Sequence, residues 1–223
     1  RLRDAATALA KEQIPKVKDD MTRQPTASQS STIRRMKAQI DELESMLNKA
    51  FRLNEQLLIN GSFEQIPRRG VVSGWQSKSG NWALGGVTEA KDTRPAHGNA
   101  FLYPGVCALG KLTQDVDIST CAPITDDGDL AFQISAVIRC FRQRPPDTSE
   151  MRVEFLDSSE QLLKTFTTGQ QANAELWMPI GLTETVPKSA RIIRVTLLSE
   201  RHGRRTRNNN GYFDNVQLVL RRR

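Results

Sequence analysis

The chain has 223 residues, 38% of them hydrophobic, enough for one full-sized domain with an extension or for two small domains. No apolar run approaches the roughly 18 residues that a membrane-spanning helix needs, so membrane insertion is not expected. The formal net charge of +7 gathers at one end, where Ser199 to Arg223 holds seven Arg against Glu200 and Asp214. That cluster reads either as a solvated loop and tail or as a patch for an anionic partner: acidic polysaccharide, lipopolysaccharide phosphate, nucleic acid or an acidic subunit face. Nucleic acid is the weaker of these, because no zinc spacing, helix-turn-helix pattern or RNP-like aromatic run accompanies the arginines.

In chain order, residues 1–21 have helical character up to Pro15 and form a candidate attachment segment. Residues 22–31, "TRQPTASQSS", are polar, contain Pro25 and read as a hinge or linker. Residues 32–58 carry a heptad pattern. With Ile33 at position a, the a positions are Ile33, Ile40, Leu47 and Asn54, and the d positions are Met36, Leu43, Ala50 and Leu57. Seven of these eight are apolar, without Pro or Gly, which predicts a coiled-coil stalk over 32–58. Met46, Phe51, Leu53 and Leu58 widen the apolar stripe, which favours a homo-oligomer of three strands, a parallel trimer. The competing reading is a single helix laid against the following domain.

After Leu58 the period changes from helical to alternating. Candidate strands are "LLINGSFE", "NWALGGVTEA", "AFLYPGVC", "GKLTQDVDI", "DLAFQISAVIRCF", "EMRVEFLDSSEQLLKTFTT", "LWMPIGLTETV", "RIIRVTLLS" and "GYFDNVQLVL". Met151, Val153 and Phe155 alternate with Arg152 and Glu154, as one-side-buried antiparallel strands do. The prediction is mainly β: an antiparallel two-sheet sandwich over 59–223, ending in a basic tail, with no βαβ alternation.

Catalytic signatures are missing from the sequence. His97 and His202 are the only histidines, and neither belongs to a nucleophile or zinc motif. "TDDGD" (Thr125 to Asp129) reads as an exposed hairpin turn. Cys107, Cys121 and Cys140 have no C-x-x-C spacing and read as free thiols, at least one of them buried; a Cys107–Cys121 pair stays open. The chain is therefore expected to bind and not to catalyse. Aromatic faces and Arg side chains are the groups that recognise sugars. Trp82, set between Asn81 and nearby glycines, is the foremost exposed aromatic candidate, and Tyr103 is second. Arg142 and Arg144 in "FRQRPPD", with Arg201, Arg204, Arg205 and Arg207, are candidates for reading an acidic sugar.

"INGSFE" followed by "SGW" resembles the opening of the galactose-binding-like jelly rolls, which include carbohydrate-binding modules of the four-and-nine type and domains on phage fibres. The resemblance continues through "RPAHGNAFLYP", "KLTQDVDI", "ELWMPIGLTETVPKSARIIRVTLL" and "GYFDNVQLVL", covering Leu58 to Leu220. It implies that Trp75 and Trp177 pack between strands. It also implies a structural Ca²⁺ held by Glu64 and Asp214 with backbone carbonyls near His97 to Asn99. With the stalk in front, the expected role is a virion fibre or spike of a phage or phage-like particle, attached to a capsid or tail protein and touching a host-surface glycan. The alternatives are a lectin-like subunit of a secreted or cell-surface complex, and a purely structural virion component.

Overall fold

The computed structural model describes residues 30–65, 71–86, 93–203 and 207–223. They form two compact units divided between Asn54 and Glu55. The attachment segment and most of the hinge lie outside the described residues.

In the first unit, helix α1 spans Ser30–Ala50. It stops short of the 32–58 stalk expected from the heptads. Arg52 takes a left-handed backbone (φ 53°), Leu53 N–H donates to Asn48 O (2.8 Å) and Arg52 N–H donates to Lys49 O (3.3 Å). These paired bonds are a Schellman ending, which satisfies carbonyls that the helix leaves without partners. Asn54 follows with φ 61°, outside the helix, and so is no seam residue. Leu57 is also removed from the seam: it belongs to the second unit, where its N–H donates to Leu218 O (2.9 Å). Ile33, Met36, Ile40, Leu43 and Leu47 remain on α1, and Met36 is 39% exposed.

The second unit is a two-sheet antiparallel sandwich. Its strands are β1 Gln76–Ser79, β2 Ala83–Gly86, β3 Ala100–Tyr103, β4 Gly105–Val106, β5 Leu109–Asp117, β6 Leu130–Cys140, β7 Thr148–Leu156, β8 Leu162–Thr167, β9 Met178–Thr185, β10 Ile192–Glu200, β11 Asn208–Asn209 and β12 Gly211–Arg222. One sheet runs β1-β5-β10-β7-β8 and the other β2-β3-β12-β6-β9, with β11-β4 a small ribbon. A short helix α2, Ala122–Asp127, precedes β6. "TDDGD" is thus a helix end and not a hairpin: Gly128 closes α2 in the left-handed conformation (φ 86°).

The core follows the alternation. Leu130, Phe132, Ile134, Ala136 and Ile138 of β6 point inward and are buried, as are Met151, Val153 and Phe155 of β7 and Ile193, Val195 and Leu197 of β10. Phe132 and Phe155 meet across the two sheets with ring centroids 4.9 Å apart. Cys121 and Cys140 are buried, Cys107 is half-buried, and all three are free thiols.

The stretch "LLINGSFE" forms turns and no strand. Gln56 Oε1 accepts from Leu58 N (3.1 Å) and Leu218 N (2.8 Å), and Gln56 Nε2 donates to Val216 O (2.8 Å). Ile59 and the Gln114 amide exchange two more bonds (2.7 and 3.0 Å). A Cβ on Gly61 would stand 2.1 Å from Val216 O, so only glycine lets this segment lie so close to β12.

Candidate glycan-binding face

Strand parity decides which aromatics face outward on the β2-β3-β12-β6-β9 sheet. Phe213 pairs with Leu102 and Ile138, and all three point into the core. Their neighbours Tyr212, Phe101, Tyr103 and Arg139 therefore lie on the opposite, outer face. On β9, Met178 and Ile180 pair with the core residues Ile138 and Ala136, which turns Trp177 outward as well.

These residues form one cluster. Phe101 lies 5.0 Å from Tyr212, 5.7 Å from Trp177 and 6.3 Å from Tyr103, measured between ring centroids. Tyr103 stands edge-on to Tyr212 at 6.5 Å. Phe101 and Tyr212 are buried and make the floor, while Tyr103 and Trp177 are half-exposed and present their edges and faces to solvent. Trp177 is held in place by its indole N–H, which donates to Arg94 O (2.8 Å). Burial pushes the Tyr212 hydroxyl up to about 12, so it remains a neutral hydroxyl at physiological pH. Arg139, half-buried and directly opposite Tyr212 on β6, has a buried Nε without a partner among the described residues.

Beyond this face, β6 runs into the segment 141–146 and β9 is preceded by the segment 172–176. Together they bound an open groove of ≈ 830 Å³ lined by Phe141, Arg142, Gln143, Arg144, Ala174 and Glu175, among others. Arg142 pairs with Glu175 at 2.7 Å, both exposed. Arg144 is exposed and lines the groove.

The base of the arginine-rich loop is fastened from behind. Asp147, fully buried, accepts from His202 N (2.8 Å) and Gly203 N (3.1 Å) through Oδ1 and from Asn210 N (2.8 Å) through Oδ2. Asn209 Nδ2 donates to Ser199 O (2.7 Å), and Ser199 Oγ bonds to Asn209 Oδ1 (2.6 Å). Arg201 donates to Arg207 O (2.9 Å), closing the loop on itself, and Arg207 is exposed. Arg204 and Arg205 lie outside the described residues.

Two expectations change. Trp82 is no exposed platform: it is 2% exposed, lies beside Phe213 at 6.4 Å and donates its indole N–H to Ser79 O (2.8 Å). It shares the inward parity of Leu84, whose partner Leu102 is a core residue. Trp177, expected between strands, instead lies on the outer face. Trp75 does pack inside, 6.0 Å from Phe63.

Glu64 and Asp214 both hold the 96–100 loop, but as hydrogen-bond acceptors. Glu64 accepts from Asn99 N (2.9 and 3.0 Å) and Ala100 N (3.2 Å). Asp214 accepts from Ala96 N and His97 N (both 2.8 Å) and from Asn215 N (2.7 Å). The partners of both carboxylates are N–H donors, whereas Ca²⁺ requires a cage of oxygens turned toward one point. This donor set does not fit the calcium ion implied by the resemblance. Among the described residues, no group of three or more His, Cys, Asp or Glu converges as a metal site.

No protein-family model matches the chain, and no curated protein matches its sequence. Solved structures do match its fold. One is the enzymatically active domain of tailspike protein 4 from bacteriophage CBA120, at 16% identity and TM-score 0.52, over 74% of this chain. The present chain spans 21% of that protein's length. Another is a family 16 carbohydrate-binding module, at 15% identity and TM-score 0.50, with 73% of this chain matched to 99% of the module. At such identities the likeness establishes architecture: the second unit has the β-sandwich fold found in carbohydrate-binding modules and within a phage tailspike.

Proposed function

We propose that this chain is a non-catalytic glycan-binding protein of a phage or phage-like particle, displayed on the virion surface. Its sandwich contacts the host-surface glycan, and its N-terminal segment attaches to a capsid or tail protein. Helix α1 forms one strand of a parallel homotrimeric stalk. Three weak sites carried on one stalk would gain by avidity what each lacks alone.

The observation that carries the binding reading is the outward cluster of Phe101, Tyr212, Tyr103 and Trp177 beside the unpaired Nε of Arg139. Phe101 and Tyr212 make a packed floor, and the half-exposed Tyr103 and Trp177 above it offer faces on which sugar C–H surfaces stack, while sugar hydroxyls accept from arginine. The likeness to a phage tailspike domain and to a carbohydrate-binding module supports the choice of ligand and setting. A glycan array with the intact chain, followed by calorimetry on the best ligand, tests the reading. Trp177→Ala and Tyr103→Ala should each weaken binding by about tenfold or more, while Trp82→Phe should leave it unchanged. Array-wide silence, or binding indifferent to both aromatic truncations, would refute the site.

A further inference from the structure

The groove next to the aromatic face specifies what kind of glycan the face takes. Resting on the glycan-binding reading above, we infer that the ligand is an acidic polysaccharide whose carboxylates are received by Arg139 and Arg144, while neighbouring sugar rings lie on Trp177 and Tyr103.

The argument begins with continuity. Both walls of the groove extend strands of the aromatic face. Arg139 is on β6, and the same chain continues into Phe141, Arg142, Gln143 and Arg144. Trp177 precedes β9, and the chain before it supplies Glu175 and Ala174. A polymer lying over the aromatics therefore enters a groove of ≈ 830 Å³, within the range of sites that enclose a ligand segment.

Charge comes next. Arg139 stands on the aromatic face opposite Tyr212, Arg142 and Arg144 line the groove, and Glu175 is the one carboxylate among the described groove-lining residues. It is taken by Arg142 at 2.7 Å. Among the described residues, Arg139 and Arg144 have no carboxylate partner, and a guanidinium fork reads a saccharide carboxylate through paired N–H donors. A neutral glycan needs no such excess of cations.

Unpaired polarity falls in the same place. Six buried side-chain N or O atoms lack a partner among the described residues, and three of them lie between residues 139 and 143: Arg139 Nε, Gln143 Nε2 and Gln143 Oε1. Buried polar atoms without partners are costly and few in folded proteins. The Gln143 amide is packed against Gly203 and is closed to a ligand, whereas Arg139 is only half-buried and its guanidinium is not sealed from the face.

Affinity electrophoresis of the full chain tests the inference, using gels that contain alginate, polygalacturonate or hyaluronate and matched gels of the same polymers after carboxyl reduction. The expected result is retardation in at least one acidic gel, lost in its reduced counterpart. Arg139→Gln and Arg144→Gln should each weaken that retardation by about tenfold, the equivalent of one charge-assisted hydrogen bond. Arg144 is exposed, so its variant reports on binding even if Arg139→Gln fails to fold. Replacing Arg221, Arg222 and Arg223 by Ala removes more charge and should leave retardation intact, which separates the groove from general attraction to a basic chain. Equal retardation by acidic and reduced polymers, or loss only in the tail variant, would overturn the acidic specificity and leave the glycan-binding reading standing. Silence in every gel would overturn the acidic specificity, while the glycan-binding reading stands or falls on the array.

Discussion

Gly85 lies directly beneath the ring of Phe101: a Cβ on Gly85 would meet Cζ at 2.4 Å and Cε2 at 2.6 Å. The two residues face each other across the β2–β3 pair, and the missing side chain allows Phe101 to fold down as the floor of the aromatic face. Gly85→Ala should therefore push the ring outward into Tyr103, Tyr212 and Trp177. Overpacking of this kind costs about 1–3 kcal/mol. The expected outcome is a lowered melting temperature together with weaker glycan binding, read by thermal denaturation and calorimetry. An unchanged affinity would show that Phe101 does not set the height of the platform.

Asp147 performs the corresponding service for the arginine loop. Its two oxygens take three backbone N–H groups, from His202, Gly203 and Asn210, at the two ends of the loop. In Asp147→Ala those donors lose their buried acceptor. An orphaned buried donor costs about 1–3 kcal/mol, so the variant should be clearly destabilised. Hydrogen exchange at the amides of His202, Gly203 and Asn210 should accelerate more than exchange within β6 or β10. Protection retained at all three positions would mean that Asn209 and Ser199 suffice to hold the loop.

The legibility of these features in the sequence follows from which physical signals are periodic. β6 and β7 can be read from their alternation because one face of each is packed and the period of two is hard to mistake, whereas β10 and β12 have runs buried on both faces, at 195–199 and 211–214. The aromatic face is harder to read, since parity has to be carried from a secure core residue to a distant Trp. Counting back from Ile180 and Met178 on β9 turns Trp177 outward, and counting back from Leu84 on β2 turns Trp82 inward. The neighbouring glycines give Trp82 the look of an exposed turn, and family position gives Trp177 the look of core. The end of α1 left no mark in the sequence because its Schellman ending uses Arg52 in place of glycine. At Gly128 the ambiguity is of the opposite kind: a left-handed glycine that caps α2 looks the same in sequence as one that closes a hairpin.

Asp214 gives a pH signature. Burial pushes its carboxyl up to about 6, against the N–H donors of His97, Asn215 and Ala96, which pull it down. A carboxyl whose folded value exceeds its unfolded value takes up a proton on folding. Stability from this group therefore falls as pH rises from about 4 to about 6 and levels off above that. Asp117 and Asp126 shift the opposite way through bonds from Ser119 and Arg191, but both are exposed and contribute little. Denaturant unfolding between pH 4 and pH 7 should show this slope in the native chain and its loss in Asp214→Asn. The same melts in Ca²⁺ and in chelator should coincide, because both carboxylates of the proposed calcium pair are already satisfied by N–H groups. A rise in melting temperature with Ca²⁺ would show that the 96–100 loop rearranges around a cation.

The stalk yields the last prediction. On α1, Ile33, Met36, Ile40, Leu43 and Leu47 keep the three-four spacing of a seam; Met36 is 39% exposed and the other four are half-buried in the single chain. Isolated helices gain little from propensity alone and take most of their stability from a partner for the apolar face. Copies of the same helix are the partners that heptad spacing fits best. Sedimentation equilibrium should return a mass three times the 25.0 kDa of the chain. Ile40→Asp with Leu47→Asp places charges in the seam and should give monomers whose sandwich still melts cooperatively, with avidity on a glycan surface lost but single-site affinity kept. A native chain that sediments as a monomer would leave the aromatic face as a solitary binding module and remove the fibre from the proposal.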